Sequence, residues 1–154
     1  MSEQDPTYEF EKQKYAGAYY FISKDAIEKR GLDFVSLVKE RRCNTCTVKM
    51  SKNSYKETNS TVQQEIEELA KCCASKGEFL SPYMPLKESL FRMMLKVSNR
   101  PMSLIALHWE ITEELASPTH PMAMSIGHIK RILDRDQYYG FLETAGKKNR
   151  ARKT

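Results

Sequence analysis

The amino-acid sequence predicts a mainly α-helical α+β protein in two parts, and three observations carry that expectation. Three segments after Leu86 repeat apolar residues at spacings of three and four, the period of a helix with one buried face. Two aromatic-rich stretches, YAGAYYFIS near the start and QYYGFLET near the end, suit strands. Between them FLSPYMPL, with Pro82 and Pro85, has the composition of a linker.

Each element has a local reason. Residues 1–14 alternate in charge without a buried-face pattern, so a flexible leader is expected. Tyr15–Ser23 suits a strand, and Ser23 caps a short helix ending near Gly31, where a left-handed residue is cheap. Asp33 caps a second short helix with Phe34, Leu37 and Val38 on one side. Ser51–Thr61 is a loop by composition, and Ser60 or Thr61 opens a helix in which Val62, Ile66, Leu69 and Cys73 share a stripe. Beyond the linker, Leu86, Leu90, Met94 and Val97 line one helix. Ser103 caps a second, with Leu104, Leu107, Ile111 and Leu115 in register. Ser125 caps a third, with Ile126, Ile129 and Leu133 facing inward. The expected division is therefore a leader (1–14), a small α+β module (15–80), a helical unit (85–144) and a basic tail (145–154).

All four cysteines fall in the first part, as RRCNTC at Arg41–Cys46 and KCC at Lys71–Cys73. A Cys-x-x-Cys turn presents two thiolates to one zinc ion, and a second pair from a helix end completes a tetrahedral shell. A structural zinc on Cys43, Cys46, Cys72 and Cys73 is the preferred expectation, a staple for a module too small to hold itself by burial alone. Adjacent helical residues point about 100° apart, so both Cys72 and Cys73 reach one ion only where the helix ends. Glu68, one turn before Cys72, is an alternative ligand. Buried free thiols and thiol redox chemistry stay open. Structural disulfides are disfavoured, because the N-terminus lacks a secretory signal and an intracellular, cytoplasmic setting keeps thiols reduced.

Three capped helices followed by a strand match the order of a winged helix-turn-helix. PLKESLFRMML, NRPMSLIALHWEI, MSIGHIKRIL and YYGF resemble a winged-helix module of the HARE-HTH type over about residues 85–144, with Asn99–Ser103 fitting the phrase that opens its second helix. Ala106-Leu107 departs from the acidic-apolar pair of that phrase. The resemblance implies that Ser125–Arg135 is a recognition helix and that Tyr138, Tyr139 and Phe141 build or support the wing. Independently, His128, Lys130, Arg131 and Arg135 fall on the side away from the apolar stripe, where they could touch phosphates or base edges.

The net charge of +5 belongs to the tail: Lys147, Lys148, Arg150, Arg152 and Lys153 stand without an acid, and the other residues balance at 20 basic and 20 acidic. A basic arm after a wing could hold adjacent DNA backbone. No segment approaches the roughly 20 apolar residues that span a bilayer. No nucleophile elbow, phosphate loop or HExxH motif occurs, and Glu67-Glu68 and Glu113-Glu114 are adjacent helical carboxylates that point apart. His108 is expected on a helix surface and Trp109 at a helix interface. The expected function is a non-enzymatic nucleic-acid-binding regulator or accessory factor, DNA being the preferred partner. The alternative is an adaptor that docks a protein complex through the same fold.

Overall fold

The computed structural model describes residues 6–45, 61–119 and 121–145. Helix α1 (Pro6–Lys14) starts at a proline, whose fixed φ suits a first helical turn. Strand β1 (Ala18–Ile22) alternates buried Ala18, Tyr20 and Ile22 with half-buried Tyr19 and Phe21. Helix α2 (Lys24–Glu28) is capped by Ser23, whose Oγ accepts from Ala26 N at 3.1 Å. Helix α3 (Phe34–Lys39) follows Asp33, whose carboxylate accepts from Ser36 Oγ at 2.6 Å and from no helix amide.

Helix α4 (Val62–Cys72) opens on a capping box: Thr61 Oγ1 accepts from Gln64 N at 3.2 Å, and Gln64 Oε1 accepts from Thr61 N at 2.9 Å. Helix α5 (Leu86–Lys96) leads to strand β2 (Met102–Ser103). Ser103 then caps α6 (Leu104–Trp109), which widens into a π-helical turn over Glu110–Leu115. Ser125 caps α7 (Ile126–Arg135) through His128 N at 3.0 Å, and β3 (Phe141–Ala145) follows.

The sheet runs in the order β2-β1-β3, antiparallel throughout, with Tyr20 opposite Met102 on one side and Glu143 on the other. The central strand therefore comes from the first part of the chain and both flanking strands from the second. The buried residues of the two parts form one cluster, from Ile27 and Phe34 through Ile66 and Phe91 to Leu107 and Ile129. Pro82 and Pro85 thus connect two portions of one core. The strand expected to build a wing, β3, pairs with β1.

Two further expectations are corrected here. Residues 6–14 of the expected leader are helical and anchored by buried Tyr8. His108 and Trp109 exchange places: the imidazole is 1% exposed and the indole 40%. Leu104, Leu107, His108 and Ile111 make the inward stripe at spacings of three, one and three, which turns Trp109 about 100° outward.

The turn into β2 places Ser98 and Asn99 in the left-handed region, at φ 59° and 58°. Asn tolerates that conformation better than most residues. Its side chain then acts as a strand surrogate: Oδ1 accepts from Ile22 N at 2.8 Å and Nδ2 donates to Ile22 O at 2.9 Å. On the other edge, Gly140 accepts from Ser23 N at 2.7 Å with φ at +74°. A Cβ there would lie 2.6 Å from Ile27 Cγ1 and 2.9 Å from Ser23 O.

The carboxyl end of β1 is thus clasped from both flanks by single residues. Asn99→Ala is expected to cost about 1–3 kcal/mol in urea unfolding, because Ile22 loses both side-chain partners. Gly140→Ala is expected to cost at least as much, since it adds backbone strain to a clash. Midpoints within error of the parent protein would refute these assignments.

Candidate functional site

The surface of α7 is built from the inside outward. Ile126, Ile129 and Leu133 are fully buried and fix the helix rotation. His128, Arg131 and Arg135 follow at spacings of three and four along the opposite side, and all three are exposed. Their side chains enter no hydrogen bond or ion pair among the described residues. Lys130 is different. Its ammonium donates to Tyr20 Oη at 2.9 Å, Asp134 Oδ2 at 3.0 Å and Glu143 Oε1 at 2.7 Å. Burial works to lower its pKa, but these oxygens outweigh that effect and raise it. Tyr20 Oη also donates to Asp134 Oδ1 at 2.5 Å, so Lys130 ties α7 to the sheet and is not a spare cation. Lys147, Lys148, Arg150 and Arg152 lie outside the described residues.

The amino end of α7 is covered by α1. Glu11 Oε1 accepts from Ile126 N and Oε2 from Gly127 N, each at 3.0 Å. A carboxylate there complements the positive end of the helix dipole. Sequence reasoning missed this contact; its one signal was Tyr8, Glu11 and Tyr15 at spacings of three and four.

The second cluster joins the end of α3 to the end of α4. Cys43, Cys72 and Cys73 bring their Sγ atoms within 4.8 Å of one another, a group that could hold a metal ion. Cys72 is the last residue of α4 and Cys73 its C-cap, so the helix end expected for a shared ion is present. Cys43 Sγ lies 3.7 Å from Cys72 Sγ, Cys43 N donates to Cys73 Sγ at 3.0 Å, and Lys76 Nζ stands 3.4 Å from Cys43 Sγ. Burial pushes the Cys73 thiol up, against the lowering effect of the Cys43 amide. Cys72 is disulfide-bonded, against the sequence expectation, whereas Cys43 and Cys73 are thiols. Sulfurs this close can couple oxidatively or, once reduced, share an ion. Cys46 lies outside the described residues, and Glu68 is exposed on the outer face of α4.

Beside the sulfurs, a cavity of about 160 Å³ is lined by Arg41, Arg42, Cys43, Cys73, Phe79 and Arg92 among others. Arg42 is paired with Glu65, which is 2% exposed. Arg41 makes a bidentate contact with Glu88, both bonds at 2.8 Å, and Arg92 Nε and Tyr139 Oη donate to the same carboxylate at 2.8 and 3.0 Å. Burial alone would raise the Glu88 pKa, but the Arg41 and Arg92 hydrogen bonds hold it at about 2. Tyr139, expected at a wing, instead packs inward against Phe91 at 5.1 Å.

The buried His108 bonds Met124 O through Nε2 at 2.8 Å, and Nδ1 has no partner among the described residues. Burial pushes its pKa below the ordinary value, so the folded state favours the neutral ring. No helix among the described residues is long and apolar enough to cross a membrane. No known family model, curated protein or solved structure matches the chain.

His108 and Glu88 both contribute to the acid response. Both folded pKa values are depressed, so each group stabilises the fold above its unfolded pKa and loses that contribution as pH falls. Thermal midpoints are expected to be flat above about pH 7, to drop below about pH 6.5 as His108 charges, and to drop again below about pH 4.5 as Glu88 protonates. His108→Gln should remove the first drop alone. A midpoint that rises between pH 7 and pH 5 would contradict the assignment.

Proposed function

We propose that the protein is a non-enzymatic, DNA-binding regulator or accessory factor that uses residues 85–144 as a winged helix, with α7 as the reading helix. One observation carries this reading: His128, Arg131 and Arg135 form an exposed stripe, unpaired among the described residues, on a helix whose other side is locked into the core. A helix of that kind fits a major groove about 12 Å wide, and guanidinium groups bind phosphates or guanine edges there. Lys130 supports the arrangement indirectly by fixing the helix against β1 and β3. Lys147, Lys148, Arg150 and Arg152 would add salt-dependent contacts to neighbouring phosphates.

Replacing Arg131 and Arg135 together by glutamate is expected to abolish retention of a labelled duplex in a mobility-shift assay at low salt. Retention equal to that of the parent protein would sink the reading. The adaptor alternative is favoured by the exposed indole of Trp109 and by the balanced charge before the tail. Under it, the double variant still captures its partner.

The cofactor proposed for the sulfur cluster is a structural zinc ion held by Cys43, Cys72 and Cys73, with Cys46 as fourth ligand. A zinc–sulfur bond of about 2.3 Å in a tetrahedron sets a sulfur–sulfur edge of about 3.8 Å, and the Cys43–Cys72 separation is 3.7 Å. The Cys43 amide and the Lys76 ammonium would offset the negative charge of such a site. Ligation requires Cys72 in its reduced form. Protein purified under reducing conditions without added metal is expected to carry about one zinc per chain, and Cys73→Ser to lower that content sharply. Less than about a tenth of an equivalent by elemental analysis would remove the site.

A further inference from the structure

We propose that α1 is an autoinhibitory strap over the amino end of α7, displaced when DNA binds; the inference rests on α7 being the reading helix. Helices of this kind meet base edges through their first turns, and the first turn of α7 is where Glu11 is seated on the amides of Ile126 and Gly127. The contact also reaches the basic stripe. A Cβ built on Gly127 would lie 2.8 Å from Glu11 Oε2 and 3.7 Å from Arg131 Nη1, so the carboxylate and that guanidinium share one corner of the helix. Only a residue without a side chain leaves room for the carboxylate at this point. With α1 in place, the corner is sterically covered and carries a negative charge beside Arg131.

The anchorage of α1 is light. Of its nine residues only Tyr8 is buried, resting against the His108 ring at 5.6 Å, while Phe10 is 63% exposed. A helix this short is marginal on its own, and its cover over α7 is given by Tyr8 and Glu11, with Tyr15 packed against the core just beyond its end. A segment with so few buried contacts belongs to the low-stability end of a fold, where opening costs far less than global unfolding. Release exposes the first turn of α7 and removes a carboxylate from the stripe, while the core residues of α7 stay where they are.

The test uses the full chain and a fluorescently labelled duplex, with affinity read by anisotropy at two salt concentrations. Glu11→Gln, and a second variant combining Tyr8→Ser with Glu11→Gln, are compared with the parent protein and with Arg131→Glu. Amide hydrogen exchange at Ile126 and Gly127 reports whether α1 has left. The expected result is faster exchange at those two amides and DNA binding about three- to tenfold tighter, because the competent state becomes more populated. Arg131→Glu should lose binding in either background. Should the doubly substituted protein show exposed amides with unchanged or weaker affinity, while the parent binds DNA, the strap is overturned and the reading of α7 stands. Absence of binding by every version overturns that reading and the strap together.

Discussion

Strand β1 hydrogen-bonds on both sides, to β2 through Tyr19 and Tyr20 and to β3 along its whole length. Everything else is arranged around that pairing. Its inward residues Tyr20 and Ile22 reach the core shared by α2, α5 and α7, and its carboxyl end is fixed by Asn99 on one flank and Gly140 on the other. Neither β2, with two residues, nor β3 has another strand neighbour among the described residues, so the sheet is one strand with two dependants. Tyr20 extends the constraint outward, because its hydroxyl is the point where Lys130 and Asp134 of α7 meet β1.

That arrangement explains how a helix can present cations without losing its orientation. The buried stripe of α7 sets rotation, Ser125 fixes where the helix begins, and the Lys130 cluster resists rocking against the sheet. At the far end, Asp136 accepts from the amides of Tyr138 and Tyr139 and so fixes the turn into β3. The sulfur cluster sits elsewhere, where α3 and α4 end, and its links to α5 run through Arg41 and Glu88. One group bears on how the α3–α4 corner is held together, the other on what the surface can meet.

Much of this was legible in the sequence, for identifiable reasons. The caps at Ser23, Thr61, Ser103 and Ser125 and the apolar stripes of α4 to α7 are local signals, and each lies where spacing places it. Met94 is recognisable as core by the same spacing. What escaped depends on contacts distant in sequence. Glu65 looks like a solvated residue until Arg42 arrives beside it, and Glu88 until Arg41, Arg92 and Tyr139 converge on it. The pairing of β1 with β3 has no local signature, since either strand alone is equally compatible with a hairpin. At His108 and Trp109 the residue chemistry points the opposite way from the helical period, and α1 has no apolar signature because its anchoring stripe is polar at Glu11 and ends in a tyrosine.

The origin of the central strand also sets a timetable. Tyr20 and its partner Glu143 are 123 residues apart. At a ribosomal pace of about 5–20 residues per second, the first aromatic segment would emerge about 6 to 25 seconds before the last strand is synthesised. During that interval Tyr19, Tyr20 and Phe21 have no completed sheet to enter, and α2 to α4 can offer them only partial cover. The nascent chain is therefore most exposed to self-association early in its life, and fragments starting beyond Ile22 would lack the piece that completes the sheet.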